Sequence, residues 1–164
     1  MTNASPDQDQ AAPQSWPSPN PALTDLSVLA GEWEMELYNA AFLPSPSERV
    51  KAYALFAWVE DGAFLEMRQG ARPLKAPNAV WLMGRDESAA EYRILYYDSR
   101  GVSRVYSMSF EDGTWKIWRN SPRFSQRYEA RVSPDGNAIH AHWEKSSDGR
   151  SWEHDFDMDY KRVR

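Results

Sequence analysis

Hydrophobic and polar residues alternate with a period of two through most of the chain from residue 33 onward. The first run places Trp33, Met35 and Leu37 on one face and two glutamates on the other. Because successive side chains of a strand point to opposite faces, this alternation predicts half-buried β-strands. Further alternating runs follow at about residues 49–59, 63–69, 79–84, 91–97, 102–110, 114–119, 124–133, 138–146 and 151–162.

Short turn signals separate many of these runs, and four of them are Asp-Gly pairs. The pairs are Asp61-Gly62, Asp112-Gly113, Asp135-Gly136 and Asp148-Gly149. Asp-Gly between alternating runs is a strong hairpin signal, and consecutive hairpins give a meander of antiparallel strands. A sheet of about ten strands curls strongly, and closure removes its exposed edges. The pattern therefore predicts an all-β, up-and-down antiparallel barrel of about eight to ten strands.

The N-terminal region differs from the rest of the chain. Residues 1–21 contain 5 of the 11 prolines and few aliphatic side chains, a composition that predicts a disordered tail. After it, Thr24 or a neighbour is expected to cap a short helix that ends at Gly31 and plugs one end of the barrel. Residues 22–164 are therefore expected to form one barrel domain.

The last alternating run indicates which face is buried. Trp152, His154, Phe156, Met158 and Tyr160 alternate with one glutamate and three aspartates. Four carboxylates in a barrel interior would lose too much hydration energy, so the aromatic set is predicted to point inward, His154 included.

The pairing of the last two strands has two alternatives. A two-residue turn at Asp148-Gly149 places Trp143 opposite His154 and Ala141 opposite Phe156. A three-residue loop with a bulge would shift the pairing and bring His142 inside. The hydrophobic pattern favours the two-residue turn.

An arginine interrupts an otherwise apolar face between residues 92 and 108. A three-residue loop after Asp98 and a two-residue turn at Asp112-Gly113 would align this face across three strands. The face then contains Tyr92, Ile94, Tyr96, Arg104, Tyr106, Met108, Phe110, Trp115 and Ile117. Arg104 is thus predicted to point into the barrel, where it needs an acceptor: Glu66, a hydroxyl of Tyr96 or Tyr106, or an anionic ligand group.

The segment Gly31-Glu32-Trp33, which follows the short helix and opens the first strand, resembles the Gly-x-Trp signature of the lipocalin and fatty-acid-binding (calycin) barrels. That resemblance implies that Trp33 closes one barrel end against an arginine near the end of the sequence, either Arg162 or Arg164.

Three longer segments resemble a group of bacterial lipocalin-like proteins of unknown function. They are YYDSRGVSRVYSM, WKIWRNSPRFSQRYEA and SPDGNAIHAHWEKSSDGRSWEHDFDMDYKR. The resemblance covers roughly residues 26–164. It implies a barrel fold, and it implies no established activity and no catalytic residues.

Composition narrows the possible partners. The net charge is −5 with both signs interleaved, which disfavours nucleic acid and an anionic membrane surface as partners. The absence of cysteine excludes disulfides and Cys-based metal sites. No run approaches the length of a membrane span, and no secretory signal pattern opens the sequence, so a cytoplasmic protein is expected. A homodimer is compatible with the sequence, although no pattern specifies one.

The leading functional prediction is binding of a small hydrophobic or aromatic ligand with an acidic or polar group inside the barrel. Arg104 would hold that group, because a guanidinium offers paired, charged donors. Its spacing from Tyr106 resembles the Arg-x-Tyr pair with which fatty-acid-binding barrels hold a carboxylate. The other predicted ligand-binding residues are Tyr92, Tyr96, Tyr106, Trp143, His154, Phe156 and Tyr160.

Two alternatives belong to other functional classes. A cofactor-free enzyme of the isomerase or cyclase type would use the same cavity, with Glu66, His154 or a tyrosine as acid–base group. Whether Glu66 and Arg68 or Leu65 and Met67 face the interior is left open by the turn at Asp61-Gly62. The third alternative is an interaction module with a filled core.

No cofactor or metal is predicted. His140, His142 and Glu144 share a face, as ligands two residues apart on a strand would, but the favoured register places them on a solvated outer wall. His154 could ligate haem, by analogy with some calycin-like barrels, yet a hydrogen-bonded core histidine is the commoner arrangement.

Overall fold

The computed structural model describes residues 19–71, 78–89 and 91–163. Within these ranges, ten antiparallel strands form a closed barrel in which each strand pairs with its neighbours in sequence and β1 pairs with β10. The predicted up-and-down barrel is confirmed. Most of the predicted N-terminal tail, residues 1–18, lies outside the described residues.

The elements follow the alternating runs closely. A 3-10 helix, Pro21–Leu29, precedes the strands. The strands are β1 (Gly31–Tyr38), β2 (Arg49–Val59), β3 (Phe64–Gly70), β4 (Ala79–Arg85), β5 (Tyr92–Asp98), β6 (Ser103–Glu111), β7 (Thr114–Arg119), β8 (Ser125–Val132), β9 (Ala138–Ser146) and β10 (Glu153–Arg162). A single 3-10 turn, Glu60–Gly62, lies between β2 and β3. No helix in the described ranges is long and apolar enough to cross a membrane.

The hairpins around β6 have the predicted registers. Tyr96 lies opposite Arg104 across the β5–β6 hairpin, and Phe110 lies opposite Trp115 across the β6–β7 hairpin. Asp112 and Gly113 have φ values of 49° and 72°. Positive φ at both central residues is what a type I′ turn requires, and it explains why Asp-Gly was a reliable signal here.

The last hairpin differs from the prediction. Phe156, and not His154, lies opposite Trp143, and the register shifts between His154 and Phe156. The loop before β10 is longer than a two-residue turn, since Lys145 is the residue that pairs with Glu153. Within this loop the Asp148 carboxylate accepts hydrogen bonds from the backbone N–H groups of Arg150 and Ser151, at 2.7 Å each. The predicted two-residue turn and its pairing are wrong.

Because of the β-bulge at this register shift, the side chain of Asp155 is buried in the barrel wall and that of His154 lies outside. Asp155 is the extra residue, and it is 8 % exposed, whereas the side chain of His154 is 43 % exposed. The carboxylate is tolerated in the wall because Lys145 donates to it at 3.1 Å. The prediction that His154 points inward is therefore wrong.

The orientation of β3, which the sequence left open, is set by burial. Leu65 and Met67 are 0 % and 2 % exposed, and both belong to the hydrophobic core. Glu66 and Arg68 occupy the alternate positions on the outer wall and form an ion pair with each other.

The 3-10 helix closes one end of the barrel. Its Leu23, Leu26 and Leu29 are fully buried. Trp33 donates from Nε1 to the Leu29 carbonyl at 2.8 Å, which joins the helix to the first strand.

Arg162 covers the same end, with its guanidinium 4.1 Å from the centroid of the Trp33 ring. It donates to the carbonyls of Ala30 at 2.6 Å and Gly136 at 2.9 Å, and also to that of Val28. These contacts place Arg162 in the role that the Gly-x-Trp resemblance implied, whereas Arg164 lies outside the described residues.

Candidate ligand-binding site

A cavity of about 320 Å³ lies inside the barrel and opens at the end opposite the helix. Its walls come from the strand ends farthest from the helix, such as Leu37 at the end of β1 and Arg104 at the start of β6. Phe42 and Phe124, from the loops that follow β1 and β7, lie at the mouth. The volume falls at the lower end of the range of about 300–1,000 Å³ typical of small-molecule sites.

Aromatic rings form most of the cavity wall. They are Trp81, Tyr96, Tyr106, Trp115, Tyr128, Trp143, Phe156 and Tyr160. Neighbouring rings have centroids 4.5 Å apart for Trp81 and Tyr96 and 5.0 Å apart for Tyr128 and Trp143. Such a wall favours a flat, apolar ligand, because rings offer large contact areas in edge and offset geometries.

Arg104 brings a positive charge into this aromatic wall. Its Nη1 donates to Gln126 Oε1 at 2.9 Å and to the Tyr106 hydroxyl at 3.3 Å. The Tyr106 hydroxyl donates to the same Gln126 oxygen at 2.8 Å. The guanidinium also lies 5.1 Å from the ring centroid of Phe124. Of the acceptors predicted for Arg104, the Tyr106 hydroxyl is present and Glu66 is not.

The other charged groups at the mouth are already paired. The Asp98 carboxylate accepts from Arg100 Nη2 and from the Tyr96 hydroxyl, each at 2.6 Å. Asp155 pairs with Lys145. By contrast, no carboxylate in the described part of the chain forms an ion pair with Arg104. An acidic group entering the cavity would therefore meet one unneutralised cation.

Two buried indole N–H groups in the cavity wall have no hydrogen-bond partner among the described residues. They are Trp81 Nε1 and Trp115 Nε1, in residues that are 6 % and 1 % exposed. Leaving such a group unsatisfied costs about 1–3 kcal/mol.

The tyrosine hydroxyls of the cavity stay protonated at neutral pH. Burial raises the pKa of Tyr160, and burial also raises the pKa of Tyr128 well above its ordinary value. Burial raises the pKa of Tyr106 as well, and the hydrogen bond from Arg104 only partly offsets this. The cavity therefore presents neutral tyrosine hydroxyls, together with the guanidinium of Arg104, which pairs with no carboxylate among the described residues.

Asp98 holds the edge of the mouth in place, and the structure predicts an acid-sensitive contribution from it. Hydrogen bonds from Arg100 and then from Tyr96 hold the pKa of Asp98 far below its usual range. A carboxyl whose pKa is lower in the folded state than in the unfolded state stabilises the fold fully at pH values above its unfolded-state pKa of about 4. This stabilisation is lost as the pH falls toward the folded-state pKa.

Asp98→Asn should therefore lower the Tm by several degrees at pH 7, and the difference from wild type should shrink as the pH falls below about 4. Thermal unfolding followed by circular dichroism at both pH values checks this, with exposed Asp25→Asn as the control. A difference that grows in acid would contradict the assignment.

The predicted ligand-binding residues divide into two groups. Arg104 and five aromatic residues line the cavity, namely Tyr96, Tyr106, Trp143, Phe156 and Tyr160. Tyr92 is buried but lies toward the closed end, where the Arg85 guanidinium is 5.4 Å from its ring centroid. His154 lies on the outer wall with its Nε2 2.9 Å from Asp157 Oδ1.

The two acid–base candidates do not meet in the cavity. Glu66 lies on the outer wall beside Arg68, and His154 is also outside. On the same outer surface, His140 contacts Asp159, and no metal-binding cluster of His, Asp or Glu occurs among the described residues.

Sequence reasoning did not name several of the residues that line the cavity. Gln126 and Tyr128 could have been found, because on β8 they alternate with Arg127, Glu129 and a further arginine, and these charged side chains must face water.

Trp81 gave a weaker signal, because β4 is apolar on both faces and the sequence does not show which of them points inward. Trp81 packs inside, with its ring centroid 5.4 Å from that of Tyr106. Trp115 was placed on the inner face, but nothing in the sequence marks its indole N–H as unpartnered.

Two larger depressions lie on the outside of the barrel. One of about 600 Å³ crosses β2, β1, β10 and β9 and is lined by side chains of both charges, including Glu34, Lys51 and Asp159. The other, of about 1,000 Å³, lies around the hairpins at the closed end. Trp81 and Trp115, whose indole N–H groups are unpartnered, line the barrel cavity and not these surfaces.

The comparisons with known proteins identify no family for this chain. No family model matches this chain, and no curated protein does. Among solved structures, the crystal structure of Rv2717c from M. tuberculosis is similar, with 15 % identity and a TM-score of 0.47 over 90 % of this chain and 100 % of that one.

Proposed function

We propose that this protein binds a small aromatic or hydrophobic molecule with an acidic group inside its barrel. The observation that carries the proposal is Arg104, a cavity-lining guanidinium that no carboxylate of the described residues neutralises. Its acceptors, the Tyr106 hydroxyl and Gln126 Oε1, are both neutral, so its positive charge remains available to an anion. An anionic ligand group would gain charge-assisted hydrogen bonds while its rings contact the aromatic wall.

The fold supports this proposal over the other two functional classes. The cavity of about 320 Å³ favours a binding protein over an interaction module with a filled core. The acid–base enzyme alternative loses Glu66 and His154, which lie on the outer wall, and keeps only a cavity tyrosine as its acid–base group. We further propose that the protein is a lipocalin-like member of the calycin barrels, on the basis of the Trp33 and Arg162 closure.

A pair of fluorescent probes tests the proposal. Anilinonaphthalene sulfonate carries an anionic group on aromatic rings, and phenylnaphthylamine is its uncharged counterpart. Titration of the purified protein should give one bound sulfonate per chain, with an affinity about tenfold above that of the uncharged probe, as one charge-assisted hydrogen bond predicts.

Val105→Ser is the matched control. Val105 follows Arg104 directly but faces outward and is 59 % exposed, opposite Leu95 on the outer wall. Binding to the cavity should be unchanged in this variant. Loss of the sulfonate signal in Val105→Ser, or equal affinity for the two probes, would contradict binding inside the barrel.

A further inference from the structure

One outer wall of the barrel exposes large apolar side chains. Leu95 and Tyr97 on β5 and Val105 on β6 point outward and are 55 %, 54 % and 59 % exposed. Phe64, at the start of β3, is also exposed. Single exposed apolar residues are ordinary on a soluble protein, but a contiguous group indicates an interaction surface.

The strand register joins these side chains into one continuous surface. Leu82 on β4 lies opposite Leu95, and Leu95 lies opposite Val105, so the three form a row across neighbouring strands. Tyr97 is the next outward position on β5. The Phe64 ring lies along the wall over Gly84 of β4, where an added Cβ would come within 2.9 Å of the ring. We name this surface the β3–β6 patch: Phe64, Leu82, Leu95, Tyr97 and Val105.

The charges beside the β3–β6 patch are balanced and already paired. Glu66 pairs with Arg68 on β3, and Glu91 pairs with Arg93 at the start of β5. These four groups sum to zero, whereas the whole chain carries a net charge of −5. Two copies of the chain could therefore approach each other across this wall without the repulsion that their overall charge creates.

The size of the β3–β6 patch fits a second copy of the same chain. The patch spans four strands about 4.8 Å apart and three outward rows about 7 Å apart, so with its side chains it covers on the order of 400 Å². A standard interface buries about 800 Å² per partner, of which a little over half is apolar. The patch therefore matches the apolar part of one such interface, and its polar rim supplies the rest.

We propose that two copies of this protein associate face to face through the β3–β6 patch, around a two-fold axis that passes close to Leu95. An isologous dimer uses the same surface of both subunits, so a residue on the axis meets its own counterpart. Leu95 occupies this place because Leu82 and Val105 flank it across the strands, and Arg93 and Tyr97 flank it along β5. The contact lies on the outside of the barrel and does not depend on ligand binding.

Sedimentation velocity of the purified full-length protein tests the dimer. A concentration series from about 1 to 500 μM should show a monomer–dimer equilibrium with a Kd of about 1–100 μM, as for interfaces at the small end of the range. Leu95→Glu should weaken this dimer by about 100-fold or more, because it places two like, unpaired charges on the axis. Val163→Glu adds the same charge at another exposed apolar residue, beyond the end of β10, and should leave the equilibrium unchanged.

Cross-linking tests the position of the axis. The chain contains no cysteine, so a single introduced cysteine can be joined only to that of another copy. Leu95→Cys should give covalent dimers with a bis-maleimide short enough to bridge sheets packed about 10 Å apart. Lys161→Cys, at an exposed position of β10 on the opposite side of the barrel, is the matched control and should remain monomeric.

The outcomes decide the proposal directly. Wild-type protein that stays monomeric over the whole concentration series would overturn it. A dimer that persists unweakened in Leu95→Glu, or equal cross-linking of the two cysteine variants, would place the contact on another surface and would also overturn it. Should Leu95→Glu fail to fold by circular dichroism, the wild-type series and the cysteine pair still give the answer.

Discussion

Arg104→Met should weaken binding of anilinonaphthalene sulfonate by about 10- to 100-fold and leave phenylnaphthylamine nearly unaffected. Hydrogen bonds to charged groups contribute about 1.5–3 kcal/mol, which corresponds to this range in Kd. The fold should persist, because Tyr106 and Gln126 keep their mutual hydrogen bond of 2.8 Å when the guanidinium is removed. Fluorescence titration of both probes measures the effect.

Arg93→Met is the matched control for this substitution. Arg93 lies on the neighbouring strand β5, and its guanidinium bonds to Glu91 and Ser107. Its loss should leave both probe affinities unchanged. If Arg104→Met weakened the two probes equally, or unfolded the protein, Arg104 would be a structural residue and not a ligand-binding one.

Trp33→Ala should lower the free energy of unfolding by about 3–5 kcal/mol, the usual cost of deleting a fully buried aromatic side chain. Trp33 is 0 % exposed, and its ring joins the helix, Tyr160 and Arg162. For a chain of this size, about 2–4 °C of Tm is lost per kcal/mol, so a decrease of roughly 10 °C is expected.

Trp118→Ala provides the comparison for that variant, because Trp118 alternates with the buried Trp115 and Ile117 on β7 and so faces outward. Its removal should cost less than about 1 kcal/mol. Denaturant titration of the two variants gives the free energies directly. A similar cost for both would contradict the view that the Trp33 closure holds the barrel end together.

Much of the fold was predictable, because turn chemistry and alternation agree through the middle strands. The Asp112-Gly113 turn has the backbone angles that its residues favour, so the register of β6 and β7 followed from the sequence. The same reasoning failed at β10, since a bulge adds Asp155 to the strand and the alternation rule cannot anticipate an extra residue. Once the register shifted, His154 moved to the outside.

The candidate site was predictable only in part, for a related reason. Arg104 could be found because a charged residue on an apolar face violates the local pattern. The unpartnered state of Trp81 Nε1 and Trp115 Nε1 could not be found, because hydrogen-bond satisfaction depends on which atoms surround a group in three dimensions. Sequence patterns show which face a side chain occupies, and packing decides what its polar atoms meet.

A crystal structure of the protein grown with anilinonaphthalene sulfonate tests the central claim most directly. The account predicts that the ring system lies in the barrel cavity, with a sulfonate oxygen within hydrogen-bond distance of the Arg104 guanidinium. A probe seated on the outer wall at Leu95 and Val105, or in the charged depression beside Lys51, with the barrel interior unoccupied, would contradict it.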